Sequence, residues 1–454
     1  MNRILTILIL IIFSISGFAQ NDSLCKSITT QSVDWLRNGE AEKLNVYFTE
    51  KVASKLDVKT TASIWQQISS QYGRFDKIDT VYSKEILPNL VVDCILSFKE
   101  GNLKYRLTFN KENKIAGIFF IPYKRKKAKE REPQESSEFF EKKYAFKNQG
   151  FEFPAMFCYP KNHEIIATVV FVHGSGPNDM DETIGPNKMF LELAHELAKN
   201  GIASLRYDKR TYIAKQTGNT KGLKTDIDNV VVNDAVKAIE EVKKNKKLQE
   251  LKVFVIGHSL GANLSPRIAQ KSGELDGIIL MAGNSRPLED LVVEQYEYLY
   301  ARGCISKAEK AEIKKIKKQA KNVKRLEKDL RKNPDMELNL PLTNDTAFWL
   351  SLTQYNPIET AKSISTPMLI LQGSRDYQVT RDDFENWRKA LGSRSKTNYI
   401  FYSNLNHLFI KGKEKSYPEE YNRKGNISPV VITDISKWID GVIKNEFSHE
   451  TLVH

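Results

Sequence analysis

The sequence predicts an α/β fold: a mostly parallel sheet with a helical cap inserted into it, preceded by a small α+β domain. Three observations carry that reading. Apolar runs at Thr168–Val172, Val253–Ile256, Gly277–Met281 and Pro367–Gly373 have the near-continuous hydrophobicity of strands buried on both faces. One of them, Val253–Ile256, leads directly into Gly257-His258-Ser259-Leu260-Gly261 and then the helix-compatible Ala262–Ala269, a strand–turn–helix unit with serine at the turn. Roughly 80 residues separate Asn284 from Pro367, far beyond an ordinary connection.

From the N-terminus, Met1-Asn2-Arg3 supplies a positive start, Ile4–Ile12 is nearly all apolar, and Gly17-Phe18-Ala19 places small residues before a cut at Gln20. Residues 1–19 therefore read as a secretory signal peptide, and an exported protein, periplasmic or extracellular, is expected. The apolar stretch is short for a membrane span, so no stable membrane insertion is expected after cleavage; a retained N-terminal anchor is the alternative. Residues 20–125 read as the α+β domain. Leu24, Ile28, Trp35 and Leu36 share a helix face that ends near Asn38-Gly39, Ile64, Trp65 and Ile68 form another, and Leu103, Tyr105, Leu107 and Phe109 alternate with polar residues as a strand does. Asp76, Asp79 and Asp93 read as isolated surface acids. Residues 126–138, charged and without an apolar period, read as an exposed, mobile linker, and the large domain spans 139–447.

Ser259 is the candidate nucleophile. Glycines on either side permit a turn too tight for β-carbons, and the following helix start offers free N–H groups to an oxyanion. A serine nucleophile needs a base, and the base an orienting carboxylate. When both follow the serine in the chain, His163, His173, His195 and His258 drop out. His449 and His454 fall in a polar tail expected to fray. His407 remains, in a loop after the strand-like Asn398–Tyr402. Asp376, just past the Pro367–Gly373 run, is the candidate acid; Asp382 and Asp383 are rivals that read as first-turn charges of a helix capped by Thr380. The oxyanion donors are expected to be the backbone N–H groups of Leu260 and of Ser175, the latter in His173-Gly174-Ser175-Gly176-Pro177 after the strand Thr168–Val172. His173 reads as a structural residue of that loop.

Residues from about 139 to 445 resemble the α/β-hydrolase superfamily, on the HGSGP loop, the Arg206–Arg210 segment RYDKR and the GHSLGA elbow. The resemblance is to bacterial secreted esterases and the serine-aminopeptidase and dienelactone-hydrolase branches. It implies an α/β-hydrolase sheet and ester hydrolysis through an acyl-enzyme, without metal or cofactor. Relatives often have Gly after the Lys-Arg pair, where this chain has Thr211, read as a local loop difference. Helices followed by a meander sheet make the small domain similar to the nuclear-transport-factor-2 type.

Residues 286–350 read as the cap. Ile313, Ile316, Ala320, Val323, Leu326 and Leu330 recur at helical spacing, with Lys and Arg crowding the other face from Lys307 to Lys332. That face is either solvated or meets acidic substrate or lipid headgroups. Phe348, Trp349 and Tyr355 suit an acyl pocket or core packing equally. The formal net charge of +13 owes much to this segment, and the aromatic–basic interleaving of a nucleic-acid module is absent, so no nucleic-acid partner is expected. Of the four cysteines, Cys25 and Cys94 either pair or stay as buried thiols, and none, with Cys158 and Cys304 included, has metal-ligand spacing.

The leading expectation is thus a serine hydrolase acting on a small-molecule carboxylic ester. Aminopeptidase or thioesterase activity from the same three residues is the enzymatic alternative, and a non-catalytic binding protein the alternative of another class. The sequence leaves acyl specificity, the small domain's role and the oligomeric state open.

Overall fold

The computed structural model describes residues 19–86, 89–123, 131–217, 222–273, 275–303, 310–446 apart from 335, 337 and 344, and 451–453. The expected signal peptide, up to its last residue, and the tail histidines His449 and His454 lie outside these residues, as does Cys304. The described residues divide into two compact units, one of residues 19–123 with 214–217, the other of 131–213 and 222 onward.

The smaller unit opens with α1 (Ala19–Asn38), α2 (Ala41–Asn45), α3 (Glu50–Ala53) and α4 (Val58–Tyr72). Asp57 caps α4 through its side chain, which accepts the Thr60 N–H at 2.7 Å. The strands β1 (Phe75–Ile86), β2 (Asn89–Phe98), β3 (Gly101–Phe109) and β4 (Ile115–Tyr123) form an antiparallel meander in that order. The alternation read at Leu103, Tyr105, Leu107 and Phe109 turns those side chains into the core, where the Tyr105 hydroxyl bonds Ser32 Oγ of α1 at 2.9 Å. Cys25 and Cys94 are buried in the same core as thiols, not bridged to each other. Asp76 is exposed as expected, but Asp93 departs from expectation, buried against Arg106, which donates to it twice at 2.6 and 2.8 Å. Asp79 accepts Ser97 Oγ. A charged group inside a small sheet keeps its charge by such pairing.

In the larger unit the hairpin β5 (Phe139–Asn148) and β6 (Phe151–Pro160) leads to β7 (Ala167–Val172), the ribbon β8 (Thr183–Ile184) and β9 (Asn187–Lys188), α5 (Met189–Ala198) and β10 (Ile202–Tyr207). Then come α6 (Arg210–Thr217), a π-helical turn at Asp228–Val232, α7 (Asn233–Lys244), β11 (Lys252–His258), α8 (Leu260–Ser272) and β12 (Gly277–Met281). The cap segment supplies α9 (Leu288–Ala301), α10 (Lys310–Lys332) and α11 (Thr346–Thr353), and α12 (Pro357–Ser363) leads back to the sheet. The chain continues through β13 (Met368–Gly373), α13 (Arg381–Leu391), β14 (Thr397–Tyr402), α14 (Pro429–Lys444) and β15 (Thr451–Val453).

The large sheet runs β15-β14-β13-β12-β11-β7-β10-β6-β5, parallel except where β6 meets β10 and β5. Its order reverses at β7. The chain moves from β7 to β10 on one side, then returns to place β11 on the other, and a crevice opens at the carboxyl ends of β7 and β11. The residues following those two ends are His173-Gly174-Ser175 and Ser259.

Two expectations about loose segments are corrected. Residues 131–138 are not a free linker: Arg131 pairs with Asp179 at 2.7 Å and Asp208 at 2.9 Å, and Gln134 donates its N–H to Glu141 at 2.9 Å. The tail does not fray throughout, since Thr451–Val453 extends the sheet beside β14, giving backbone groups partners they would otherwise seek in water.

Candidate active site

Ser259 sits between β11 and α8 with φ 53° and ψ −116°, a conformation costly for a residue with a side chain and characteristic of a nucleophile elbow. Its N–H donates to the Met281 carbonyl at 2.9 Å, and its carbonyl accepts the Asn263 N–H at 3.0 Å. Gly261 is required by proximity: a Cβ there would run into the Val172 and His173 carbonyls. Gly174 meets the serine the same way, since a Cβ on it would lie 3.2 Å from Ser259 Cβ. The HGSGP loop is therefore packed against the serine, with Ser175 exposed beside it. Leu260 is the first residue of α8, where N–H groups have no partner within the helix.

Asp376 and His407 follow adjacent parallel strands, β13 and β14. His407 Nδ1 lies 2.6 Å from Asp376 Oδ2. The carboxylate is otherwise saturated: Oδ1 accepts the N–H groups of Gln378 at 2.8 Å and Val379 at 3.1 Å, and Oδ2 accepts Gln372 Nε2 at 3.2 Å. Asn406 fixes the His407 loop by accepting the N–H groups of Leu408 and Ile410, each at 3.0 Å. The His407 carbonyl accepts His258 Nε2 at 3.0 Å, so the base's loop is tied to the residue next to Ser259. Both side chains of the pair are buried.

The rivals go elsewhere. Asp382 is exposed. Asp383 is wholly buried and holds the start of the cap, accepting the N–H groups of Ser285 and Arg286 at 2.9 and 3.0 Å and the Arg286 guanidinium at 2.7 Å. Thr380 precedes α13 as expected, but its hydroxyl accepts Arg286 Nη2 at 3.0 Å and does not cap the helix. Trp349 and Tyr355 belong to packing. Trp349 is fully buried with Nε1 donating to the Pro341 and Thr343 carbonyls, and the Tyr355 hydroxyl donates to Asn263 O at 2.8 Å. At the other end of the cap, Tyr298 of α9 stacks on Tyr377, and Gln295 donates to Gln378 O at 3.0 Å. The cap is thus anchored both to the helix that begins at the elbow and to the loop that carries Asp376.

A model of the family described as serine aminopeptidase, S33, matches residues 163–414. The chain belongs to the serine aminopeptidase S33 family. A second model, of a protein of unknown function (DUF3887), matches residues 30–118 within the small unit. The chain is 36% identical over 394 residues to Esterase EstD of Thermotoga maritima, covering 86% of this chain and 89% of that one. Among solved structures it is similar to an esterase of Pyrococcus furiosus, at 14% identity and a TM-score of 0.42 over 67% of this chain and 92% of that one. It is also similar to a soluble variant of monoglyceride lipase from Saccharomyces cerevisiae, at 17% identity and 0.42 over 69% and 98%.

Around its site this S33 hydrolase has a layer of buried charge that the sequence reading passed over. RYDKR closes β10, and each charged member has a partner: Arg206 with Glu141 and Asp181, Asp208 with Arg131, Lys209 with the Gly174 carbonyl at 2.6 Å, Arg210 with Asp234 at 2.9 Å. One hint was present: Arg206 lies within the apolar strand β10, and three more charges follow it closely. Thr211, read as a loop difference, lies in the first turn of α6. His173 is structural as expected, buried between Phe190 and Tyr207, and burial pushes its pKa down to about 4. A trio with metal-ligating atoms, Glu141, Cys158 and His195, exists among the described residues. Its carboxylate is already committed to the Arg206 guanidinium, a cation that competes with a metal, and to His195 Nε2 at 2.9 Å.

Glu182 is the least expected member. Buried, with φ 48°, it accepts the Gly174 N–H at 2.7 Å and faces His258 Nδ1 at 3.2 Å in an ion-pair contact. Burial opposes the Glu182 charge, but His258 and the Gly174 N–H hold its pKa below the ordinary 4.5. Burial opposes the His258 charge too, and Glu182, the His407 carbonyl and Asp376 raise its pKa above 6.5. Glu182→Gln is expected to lower the unfolding free energy by about 3 kcal/mol, the lower end for breaking a buried pair, because His258 can shed its proton. The sign of the pH dependence follows. Stabilisation is complete between the unfolded values of 4.5 and 6.5, fades below as pH passes Glu182's lowered pKa, and fades above as pH passes His258's raised one. Urea titrations of parent and variant across that range check it, and a pH-independent difference contradicts the ion pair.

Proposed function

We propose that this chain hydrolyses carboxylic esters through an acyl-enzyme on Ser259. The observation that carries the reading is the His407–Asp376 contact, delivered by adjacent strands, with its loop bonded to the residue preceding a strained serine. Ser259 Oγ attacks the ester carbonyl and its proton passes to His407 Nε2. Asp376 holds Nδ1–H, so that Nε2 is the basic nitrogen, and stabilises the imidazolium. The oxyanion is met by the N–H groups of Leu260 and Ser175. Collapse of the tetrahedral intermediate expels the alcohol, which takes the proton from His407. Water, deprotonated by His407, then releases the acid and restores Ser259.

The identity to an esterase over most of the chain supports the ester over the amide. The family's description as serine aminopeptidase favours a second reading, hydrolysis of an N-terminal peptide bond by the same residues. The cap, anchored beside both Ser259 and Asp376, is placed to set acyl length, and the apolar N-terminal segment supports export of the enzyme. No helix among the described residues is long and apolar enough to cross a membrane. A panel of p-nitrophenyl esters of rising acyl length, run beside aminoacyl-arylamides, tests the reading. Ester turnover with a cut-off in chain length is expected; turnover of arylamides alone moves the assignment to the peptidase.

A further inference from the structure

The second oxyanion donor depends on a single peptide plane, and that plane has unusual partners. The Ser175 N–H belongs to the peptide whose carbonyl is Gly174 O. In a trans peptide the two point in opposite directions, so whatever holds the carbonyl aims the N–H. Gly174 O accepts Lys209 Nζ at 2.6 Å and Asn178 Nδ2 at 3.1 Å. On the preceding plane, the Gly174 N–H is spent on Glu182. Without side-chain constraint, the glycine between His173 and Ser175 would rotate these planes at little cost.

Lys209 has no place in the proton transfers above. It is 5% exposed in a site whose charges are otherwise paired with carboxylates. Its ammonium donates to this carbonyl. An ammonium is a costly group to bury for the sake of one turn.

We propose that Lys209 is a positioning residue for the oxyanion hole: its ammonium, bonded to Gly174 O, locks the Gly174–Ser175 peptide and polarises it so that the Ser175 N–H faces the developing oxyanion. This rests on the reading of Ser259 as nucleophile. A hydrogen bond to the carbonyl of an amide shifts electron density from nitrogen to oxygen and strengthens the N–H as a donor. A full positive charge does so more than a neutral donor. The gain appears only as negative charge develops on the substrate, so it belongs to kcat and not to ground-state binding. The charge also bears on pH. Burial lowers the Lys209 pKa to about 8, against the opposing pull of Glu182 and Asp234, with His173 facing it from the end of β7. Loss of that proton removes the charge from Gly174 O.

Lys209→Met keeps the length and the burial and removes the charge. It is expected to lower kcat for p-nitrophenyl acetate by about 10- to 100-fold, part of what deleting an oxyanion donor costs, with KM within about twofold. Affinity for a trifluoromethyl ketone, which forms the tetrahedral adduct, should fall in the same ratio. The parent should lose kcat as pH rises through about 8, and the variant should lack that limb. Asn178→Ala, at a half-buried position, should move kcat in the same direction by a smaller factor. A crystal structure of Lys209→Met should show the Gly174–Ser175 peptide rotated or in two orientations. Unchanged kcat, or a rise in KM alone, overturns the proposal. Should the parent fail to turn over esters, the reading of the site falls, and the peptide's orientation in the variant crystal still decides this one: an unmoved plane refutes it.

Discussion

Ser259→Ala is expected to lower kcat for a p-nitrophenyl ester by on the order of 10⁴-fold or more, the scale seen when a triad nucleophile is removed. Attack at the carbonyl is then left to water, which the remaining donors of Leu260 and Ser175 assist only in part. The fold should survive. The backbone bonds that shape the elbow, Ser259 N–H to Met281 O and Asn263 N–H to Ser259 O, involve no side chain. The strained φ of 53° is no worse for alanine than for serine. The melting temperature should therefore stay within a few degrees of the parent's, and KM should change little. Retention of most activity by clean variant protein would falsify the assignment of the nucleophile and move attention to another group in the crevice.

The sequence was most legible where one physical demand fixes the residue type. The elbow glycines had to be glycine because the space a Cβ needs is filled, at Gly261 by the Val172 and His173 carbonyls and at Gly257 by the Gly261 carbonyl and Ser265 Oγ. Asp376 and His407 could be chosen by order along the chain, and they meet. The helical period from Ile313 to Leu330 gave the cap because one face of α10 packs inward, with Ile316, Val323 and Leu326 buried. What stayed hidden is buried polarity. Asp93 read as a surface acid, and Glu182 and Lys209 drew no reading of burial, because in one dimension a charge carries no sign of the partner that pays for its burial. β2 was missed for a related reason: it is buried along almost its whole length on both faces, so it has no alternation to detect. Residues 131–138 read as linker because they lack an apolar period, yet what holds them is ionic and backbone bonding to the large unit.

Asp376→Asn is expected to lower kcat by about 10³- to 10⁴-fold while leaving KM near the parent value, because its effect is on the tautomer of the base. The four bonds to this carboxylate all arrive from donors: Gln378 and Val379 N–H at Oδ1, Gln372 Nε2 and His407 Nδ1 at Oδ2. An asparagine must turn an NH₂ toward one of the two pairs. If the NH₂ faces His407, the imidazole must accept at Nδ1 and carry its proton on Nε2, where it cannot take one from Ser259. If the amide is flipped, the NH₂ opposes the Gln378 and Val379 N–H groups, leaving buried donors without acceptors at about 1–3 kcal/mol each. Either catalysis or stability must fall, and kinetics beside a thermal melt tells which amide orientation wins. Asp382→Asn is the control, since that carboxylate is exposed and faces none of these groups. Its kcat should stay within about twofold of the parent, as surface substitutions away from a site usually do. Equal losses in the two variants would mean that the acid has been misassigned; a loss confined to Asp376→Asn, without a rise in KM, ties the orientation of His407 to the chemical step.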